Sequence, residues 1–467
     1  MRNFRNINIR SSVPEDDKMT NIAVIGAGAA GMTAASTARR YNADAEITVF
    51  TADEHIAYSP CAIPWVIEGK MSWKDVIMHT PDHYSKNGIT VLTKTRVTSV
   101  DGNSKTLVAN GKAHKYDVLV VASGGNVFIP PVPGKTLEGT FVVRTINDCI
   151  AIKNALPNVK KAAVIGAGVI GLETAVALKN SGVDVTVIEM FDQAIPRIAD
   201  KDVAKTVQDR LAKSKIKFVF GAPLESVNGK DKVKSVTAGG KEYGCEMVIF
   251  ATGVRSDLEI PNMLGLDIGI LGGVSVSPTL QPYRKGRLVD DIYLAGDVIQ
   301  CQSAVTSGPT MSQLGSSAVK QGGVAGKNAA GLIATLGPTV SPWVSVLDGL
   351  QVGGTGLSEN LAAWYGIKVI SATATGTTSA RYYPGGSEIT VKLLADASTH
   401  AVVGAQIIGN DITGRINWLS AVISSKKNIE GFVFSGENAY CPPTSMVKDV
   451  VMVAADKLFE KLNKQAF

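Results

Sequence analysis

The sequence predicts an α/β chain in which two doubly wound units are followed by a C-terminal α+β domain. Three observations predict it. A Val-Ile-Gly-Ala-Gly run occurs twice, at residues 24–28 and 164–168, each time behind an apolar stretch and ahead of a helix-forming one. Each copy has a later apolar strand ending in small residues, 117–121 before Ala122-Ser123-Gly124-Gly125 and 247–250 before Ala251-Thr252-Gly253. From about Ser341 the pattern changes to strand-like runs at 389–394 and 402–408, then helical stretches at 415–424 and 446–462, with no third glycine motif. Repeated strand–turn–helix units of this kind build parallel sheets with helices on both faces.

Length and composition bound the rest. At 467 residues, 45% hydrophobic and 19% charged, the chain is an ordinary globular sequence with ample core, of about three domains. The boundaries read as a tail at 1–19, a first domain split between 20–145 and 275–340, an inserted second domain at 146–274, and a third at 341–467. Met19 reads as a natural start, and the polar first 18 residues have no apolar signal segment. The net charge of +6 is diffuse; it favours anionic small molecules and excludes a nucleic-acid reading, since no basic run accompanies it. The apolar segment 162–178 is broken by Glu173 and reads as strand–turn–helix, not as a membrane span.

In the first unit, residues 21–25 form a buried strand and Gly26-Ala27-Gly28-Ala29-Ala30-Gly31 follows directly, then a helix to about Arg40. Strand, G-x-G-x-x-G and helix make the dinucleotide fingerprint, in which glycines let the backbone approach a pyrophosphate at the helix N-terminus. The next strand, 46–50, ends at Thr51, where an acidic ribose ligand is expected; Asp53 or Glu54 stand close by. The second unit repeats the plan with Gly166-Ala167-Gly168-Val169-Ile170-Gly171, and its strand 184–188 ends at Glu189. A carboxylate there accepts ribose hydroxyls and repels a 2′-phosphate, so NADH is expected over NADPH. Gly253, and Asp297 in Ala295-Gly296-Asp297, are further strand-ending corners, and Asp297 is placed to bond a ribityl or ribose hydroxyl. Two nucleotide folds call for two nucleotides, and a flavin with a nicotinamide is the usual pairing.

The five cysteines, 61, 149, 245, 301 and 441, show no C-x-x-C or C-x4-C spacing. A secreted disulfide scaffold and a two-cysteine redox loop are therefore excluded, and a reducing cytoplasm is expected. Cys61, in Ala57-Tyr58-Ser59-Pro60-Cys61-Ala62-Ile63-Pro64-Trp65, falls where a new helix should begin, and a helix start favours the thiolate. It lies in the first unit and is the electron acceptor nearest in sequence to the first nucleotide. His79 and His83 have Pro81 between them and no carboxylate motif, so no metal site is read.

By these motifs, the chain from about Thr20 resembles the single-cysteine branch of the flavin-dependent pyridine nucleotide–disulfide oxidoreductases. Within that branch it looks most like coenzyme A-disulfide reductases and the related NADH oxidases. Pro60-Cys61-Ala62-Ile63-Pro64, Tyr382-Tyr383-Pro384-Gly385, Gly404-Ala405-Gln406 and Tyr440-Cys441-Pro442-Pro443 carry the resemblance with the two fingerprints, Ala251-Thr252-Gly253 and Ala295-Gly296-Asp297. It implies FAD on the first unit, held by the first fingerprint with Thr51, Val97, Ala122, Ser123, Gly124 and Asp297, and NADH on the second. It implies Cys61 as the redox nucleophile, resting as a mixed disulfide with coenzyme A or as a sulfenic acid. It implies a homodimer that shares its active sites, with Tyr440, Lys448 and one of Tyr382 or Tyr383 reaching the partner's site. The family's CoA-holding positions on the first helix are Thr33, Thr37 and Arg40 here, with Thr37 replacing a Gln, and Lys86 fits the family's phosphate-binding Lys. Ala57 and Pro60 replace a Ser and an Asn of the family's site, and Cys441 replaces an Ala. The family's NADH peroxidases and water-forming oxidases carry a His inside the first fingerprint where this chain has Ala29, and this favours a disulfide reductase over a peroxidase. An NADH oxidase (or polysulfide reductase) acting through a Cys61 sulfenic acid, and a redox-sensing flavoprotein, remain the alternatives.

Overall fold

The structure, a computed structural model, describes residues 19–465; the expected tail lies almost wholly outside them. The first fingerprint strand, Asn21–Ile25, lies in the middle of a five-stranded parallel sheet. Its order is Ile292–Leu294, Val118–Val121, Asn21–Ile25, Glu46–Phe50, Ile89–Leu92. Ile25 is level with Phe50 on one side and Val121 on the other. A second five-stranded parallel sheet repeats the plan, in the order Lys217–Val219, Asp184–Ile188, Lys161–Ile165, Met247–Phe250, Thr140–Val142. There Ile165 is level with Ile188 and Phe250. The strands are short unbroken runs of Val, Ile and Ala because both faces of a parallel sheet are covered. Each sheet also carries a three-stranded antiparallel flap, 97–115 on the first and 224–244 on the second.

The chain leaves the first sheet after Val121, builds the second, and returns as Ile292–Leu294. The outgoing and returning connections pair with each other, Gly125 with Ser256 and Val127 with Val254. The helix Ala29–Tyr41 is then covered by Gly315–Ala329. Gly322 and Gly326 face it so closely that a Cβ on either would stand 2.3 Å from the carbonyl oxygen of Ala30 or Ala34. Four-residue glycine spacing lets the two helices meet backbone to backbone.

The third sheet is antiparallel throughout: Trp343–Leu347, Leu350–Gly356, Val402–Gly409, Glu388–Asp396, Val369–Thr377. One face buries Ile389, Val391, Leu393, Ala405 and Ile407 against Ile412–Ser424, Ile429–Ser435 and Val450–Gln465. The other face contributes Leu347, Val352 and Ile408 to a core shared with the second sheet and with Ile63, Val66 and Ile67. The helix behind Cys61 is therefore packed at a seam between domains.

Two expected helices shift. The stretch at 415–424 begins earlier, at Ile412. The one at 446–462 begins later, at Val450, because Pro442-Pro443 hold the chain in turns and Asp449 takes the amides of Val451, Met452 and Val453.

Candidate active site

The two fingerprints fold alike. Gly26 and Gly166 both have φ +105, and a Cβ would stand 2.1 Å from Ala122 O at the first and 2.4 Å from Ala251 O at the second. Gly31 and Gly171 are pressed on the carbonyls of Gly26 and Gly166, with a Cβ at 1.9 and 2.1 Å. Only glycine fits these four places. Gly28 and Gly168 differ: a Cβ there meets nothing within 4 Å. They are the N-caps of Ala29–Tyr41 and Val169–Asn180, in ordinary extended conformation, with no side-chain cap and no acid in the first turn. The first-turn amides thus open onto free space with no side chain to satisfy them, an anion cradle in both units. Both cradles fit a dinucleotide pyrophosphate.

Glu189 is buried; its Oε2 accepts from Ala167 N at 2.7 Å and Oε1 from Phe191 N at 3.0 Å. Each oxygen keeps acceptor capacity, so the carboxylate both braces the second fingerprint and can meet a ribose hydroxyl. Thr51, its counterpart, is buried and accepts from Asp53 N at 3.2 Å. Val97 is buried at the start of its strand, and Gly253 has φ +101 with open space at its Cβ. Past the outgoing strand Val118–Val121, Ala122 is buried, Ser123 Oγ donates to Asp257 O at 3.1 Å, and Gly124 takes φ +74. Val169 and Ile170 form the first turn above the second cradle, and Ile170 is exposed there; Ala29 and Ala30 hold the same places above the first. Asp297 pairs with Arg144 Nη2 at 2.8 Å. Sequence reading passed over Arg144. Its signal was the next four residues, since Thr145 and Asp148 form a capping box that fixes the helix Ile146–Ala155 behind it.

Cys61 is exposed in a 3-10 turn, Pro60–Ala62, that runs into the α-helix Ile63–Glu68. The expectation of a thiol at a helix start is met by this turn, and the α-helix itself begins two residues on. Ala57 has φ +47, and its amide reaches Ala27 O in the first fingerprint at 3.5 Å, tying the Cys61 segment to the first cradle. From behind, the helix Ile146–Ala155 grips it: Cys149 Sγ lies 3.9 Å from Ile63 O, and Lys153 Nζ donates to Val66 O at 2.8 Å. Burial pushes the Cys149 and Cys301 thiols up to about 11 and the Cys245 thiol up to about 12. Cys61 and Cys441 are the exposed thiols.

Tyr382 and Tyr440 come together, hydroxyl to hydroxyl at 2.7 Å. The bond to Tyr382 holds the Tyr440 phenol above its usual range. Tyr383 sits in the adjoining turn, its amide on Ala380 O, while the Ala380 amide reaches Pro442 O at 3.0 Å and joins the two loops. Cys441 N donates to Ser445 Oγ at 3.0 Å. Lys448 is ion-paired with Asp456. Among the described residues, no hydrogen bond or ion pair joins this cluster to the Cys61 turn of the same chain. On the first helix, Thr33 and Thr37 are half-buried and turn toward Gly322 and Gly326. Arg40 is exposed at its end, and Arg39 binds Gly88 O at 2.6 Å, bringing that end to the turn that follows Lys86. The rings of His79 and His83 stack at 4.0 Å.

Residues 20–322 match the pyridine nucleotide-disulphide oxidoreductase family, and residues 342–450 match its dimerisation domain. An NADH oxidase of Methanocaldococcus jannaschii is 42% identical over 452 residues, 95% of this chain and 99% of that one. An NAD(P)H coenzyme A polysulfide/persulfide reductase of Pyrococcus horikoshii is 32% identical, covering 93% of this chain and 97% of the relative. Among solved structures, an NAD-dependent persulfide reductase from A. fulgidus superposes with a TM-score of 0.91 at 32% identity, over 96% of this chain and 84% of that one.

Proposed function

The chain belongs to the pyridine nucleotide-disulphide oxidoreductase family, and from that premise we propose that it reduces a low-molecular-weight disulfide, coenzyme A disulfide first among them, through Cys61. The family's cofactors, FAD and NADH, are those of this chain, and the match to the family's dimerisation domain supports a homodimer. On this reading 20–145 with 275–340 holds FAD, 146–274 holds NADH, and 341–467 is the dimer domain. The first cradle, Thr51, Val97, Ala122–Gly124 and Asp297 hold the flavin; the second cradle, Glu189 and Gly253 hold the nicotinamide nucleotide.

The observation that carries the proposal is one exposed thiol tied by Ala57 to the first cradle, with no second cysteine at redox spacing. FAD held in the first cradle and NADH in the second would together supply the electron pair that sulfur needs. The chain's own part is thiol–disulfide exchange. The Cys61 thiolate attacks one sulfur of the substrate disulfide, forming a Cys61–S–S–R bond and breaking S–S to release one thiolate. Breaking the Cys61–S–S–R bond, which requires two electrons, would return the Cys61 thiolate and release the second thiolate. Tyr440, its hydroxyl oriented by Tyr382, is positioned on this reading to give a proton to the leaving sulfur across the dimer. On this reading Thr33, Thr37, Arg40, Pro60 and Lys86 are the thiol's binding residues, and Lys448 reaches the site of the other subunit. An NADH oxidase activity is the second reading, favoured by the 42% identity to a relative of that name. Cys61→Ser tests the proposal: it should retain FAD and be bleached by NADH, yet turn over no disulfide. Full disulfide turnover by that variant overturns it, and oxygen uptake far exceeding disulfide reduction in the native enzyme moves the assignment to the second reading.

A further inference from the structure

Asp200 stands at the N-cap of Lys201–Lys213, the crossover helix of the second sheet, yet its carboxylate does not cap that helix. It is turned into the third sheet. Its Oδ2 accepts from Gln406 Nε2 at 2.7 Å and lies 3.0 Å from Lys392 Nζ, and its Oδ1 accepts from Glu359 N at 2.7 Å. The Asp200 amide donates back to Gln406 Oε1 at 2.8 Å, so the Gln406 side chain and Asp200 exchange two hydrogen bonds. Lys392 and Gln406 are directly opposite each other on neighbouring strands. Lys392 also meets Asp202 and Glu359, each at 3.0 Å, and Ser371 Oγ donates to Glu359 at 2.7 Å. Lys392 is 6% and Asp200 1% exposed. Buried ionic groups add little net stability, but they fix geometry because a displaced member is left unpaired.

What this latch holds is the irregular segment 189–200. The segment starts at Glu189, bonded to Ala167 of the second fingerprint, and is laced to the same residue at its middle, Ile195 N donating to Ala167 O at 2.8 Å. Ile195 has φ +48, a costly conformation for a β-branched residue. Gln193 Oε1 is buried without a hydrogen-bond partner. Both mark a loop kept away from its own optimum, which persists only when its ends are fixed. One end is fixed by Glu189 and the other by Asp200.

Resting on the proposed reading, we infer that Asp200, Gln406 and Lys392 are positioning residues for hydride transfer: they pin the wall of the nicotinamide-nucleotide site to the dimerisation domain. Donor and acceptor sit on different domains, and a misplacement of about 1 Å costs roughly a hundredfold in such a step. The latch therefore acts on the reductive half-reaction alone.

The test is the reciprocal exchange of amide and carboxylate in the holoenzyme. Asp200→Asn puts two amides face to face, and Gln406→Glu puts two carboxylates face to face. The double variant restores both hydrogen bonds and one negative charge beside Lys392. Rapid-mixing reduction by NADH should be slowed about tenfold, or need about tenfold more NADH, in each single variant, and return to within about twofold in the double. Oxidation of photochemically reduced enzyme by the disulfide should be unchanged in all three. Should a single variant fail to fold, Asp202→Asn, which removes one of the two outer carboxylates at Lys392, is the milder probe and should show a smaller slowing of the same kind. Native NADH kinetics in the single variants, failure of the double to restore them, or equal loss in both half-reactions overturns the inference. A native enzyme that NADH does not reduce overturns the functional reading instead, and this inference with it.

Discussion

Replacing Gly28 or Gly168 by Ala separates a glycine needed by the fold from one needed by a ligand. Gly28 has φ −76 and ψ −171, a conformation open to any residue, and its added methyl meets nothing within 4 Å. The fold should therefore keep its stability or gain about 0.4–1 kcal/mol from a less flexible unfolded chain. The methyl projects into the free space before the first-turn amides, where a pyrophosphate must approach. Displacing the phosphate by a methyl radius removes at least one charge-assisted hydrogen bond, about 1.5–3 kcal/mol, or roughly ten- to hundredfold in affinity. Gly28→Ala should thus purify folded but FAD-poor, and Gly168→Ala should hold FAD normally while needing at least tenfold more NADH. Gly26→Ala is the contrast: at φ +105, with its methyl 2.1 Å from Ala122 O, it should lose the fold itself. The measurements are thermal melting without added cofactor, flavin content from absorbance, and titration of each nucleotide. Native FAD affinity in Gly28→Ala, or a collapse of cofactor-free stability in it, would refute the reasoning.

Two further outcomes follow from packing and burial. After reduction and removal of the reductant, an alkylating reagent at about pH 8 should modify two thiols in the native protein, Cys61 and Cys441, and five after denaturation. A thiol held near 11 is only roughly one part in a thousand thiolate at that pH, and native labelling of Cys149, Cys245 or Cys301 should rise as pH rises. In the covering helix, Gly326→Ala should destabilise by about 1–3 kcal/mol because its Cβ meets Ala34 O at 2.3 Å. Gly323→Ala, with nothing within 4 Å, should instead stabilise by about 0.5–1 kcal/mol; equal melting temperatures for the two variants would contradict the packing described.

The parallel strands were legible because a strand covered on both faces must be an unbroken apolar run, and a glycine fingerprint fixes where it stops. Asn21–Ile25, Glu46–Phe50, Lys161–Ile165 and Asp184–Ile188 lie where the sequence puts them for that reason. Helix ends were less legible where a cap, not a period, decides them: Asp449 sets the start of the last helix from outside its apolar pattern. The contacts of Arg144 and Asp200 were illegible. Each reaches more than 150 positions along the chain, to Asp297 and Gln406, and no local period encodes such a pairing. The meeting of Tyr382 with Tyr440 was illegible for the same reason, since two loops 58 positions apart come together there.

Reducing a disulfide yields two thiolates, and one cysteine can bond to only one of them at a time. On the proposed reading, once Cys61 has taken the first sulfur, the second bond to break is the one it has itself made. Either the electron pair from the flavin breaks it, or another thiol exchanges into it first. Cys441 is the one candidate among the described cysteines, since the other three are buried, and it follows the tyrosine whose hydroxyl is oriented by Tyr382. If Cys441 resolves Cys61 across the dimer, Cys441→Ala should leave reduction by NADH untouched, slow steady disulfide turnover at least tenfold, and trap a substrate adduct on Cys61 visible by mass. If it merely fills a small space, the same variant turns over every disulfide at the native rate and carries no more adduct than the native enzyme. Unchanged turnover across small and large disulfides removes Cys441 from the chemistry, and the flavin must then open each mixed disulfide directly.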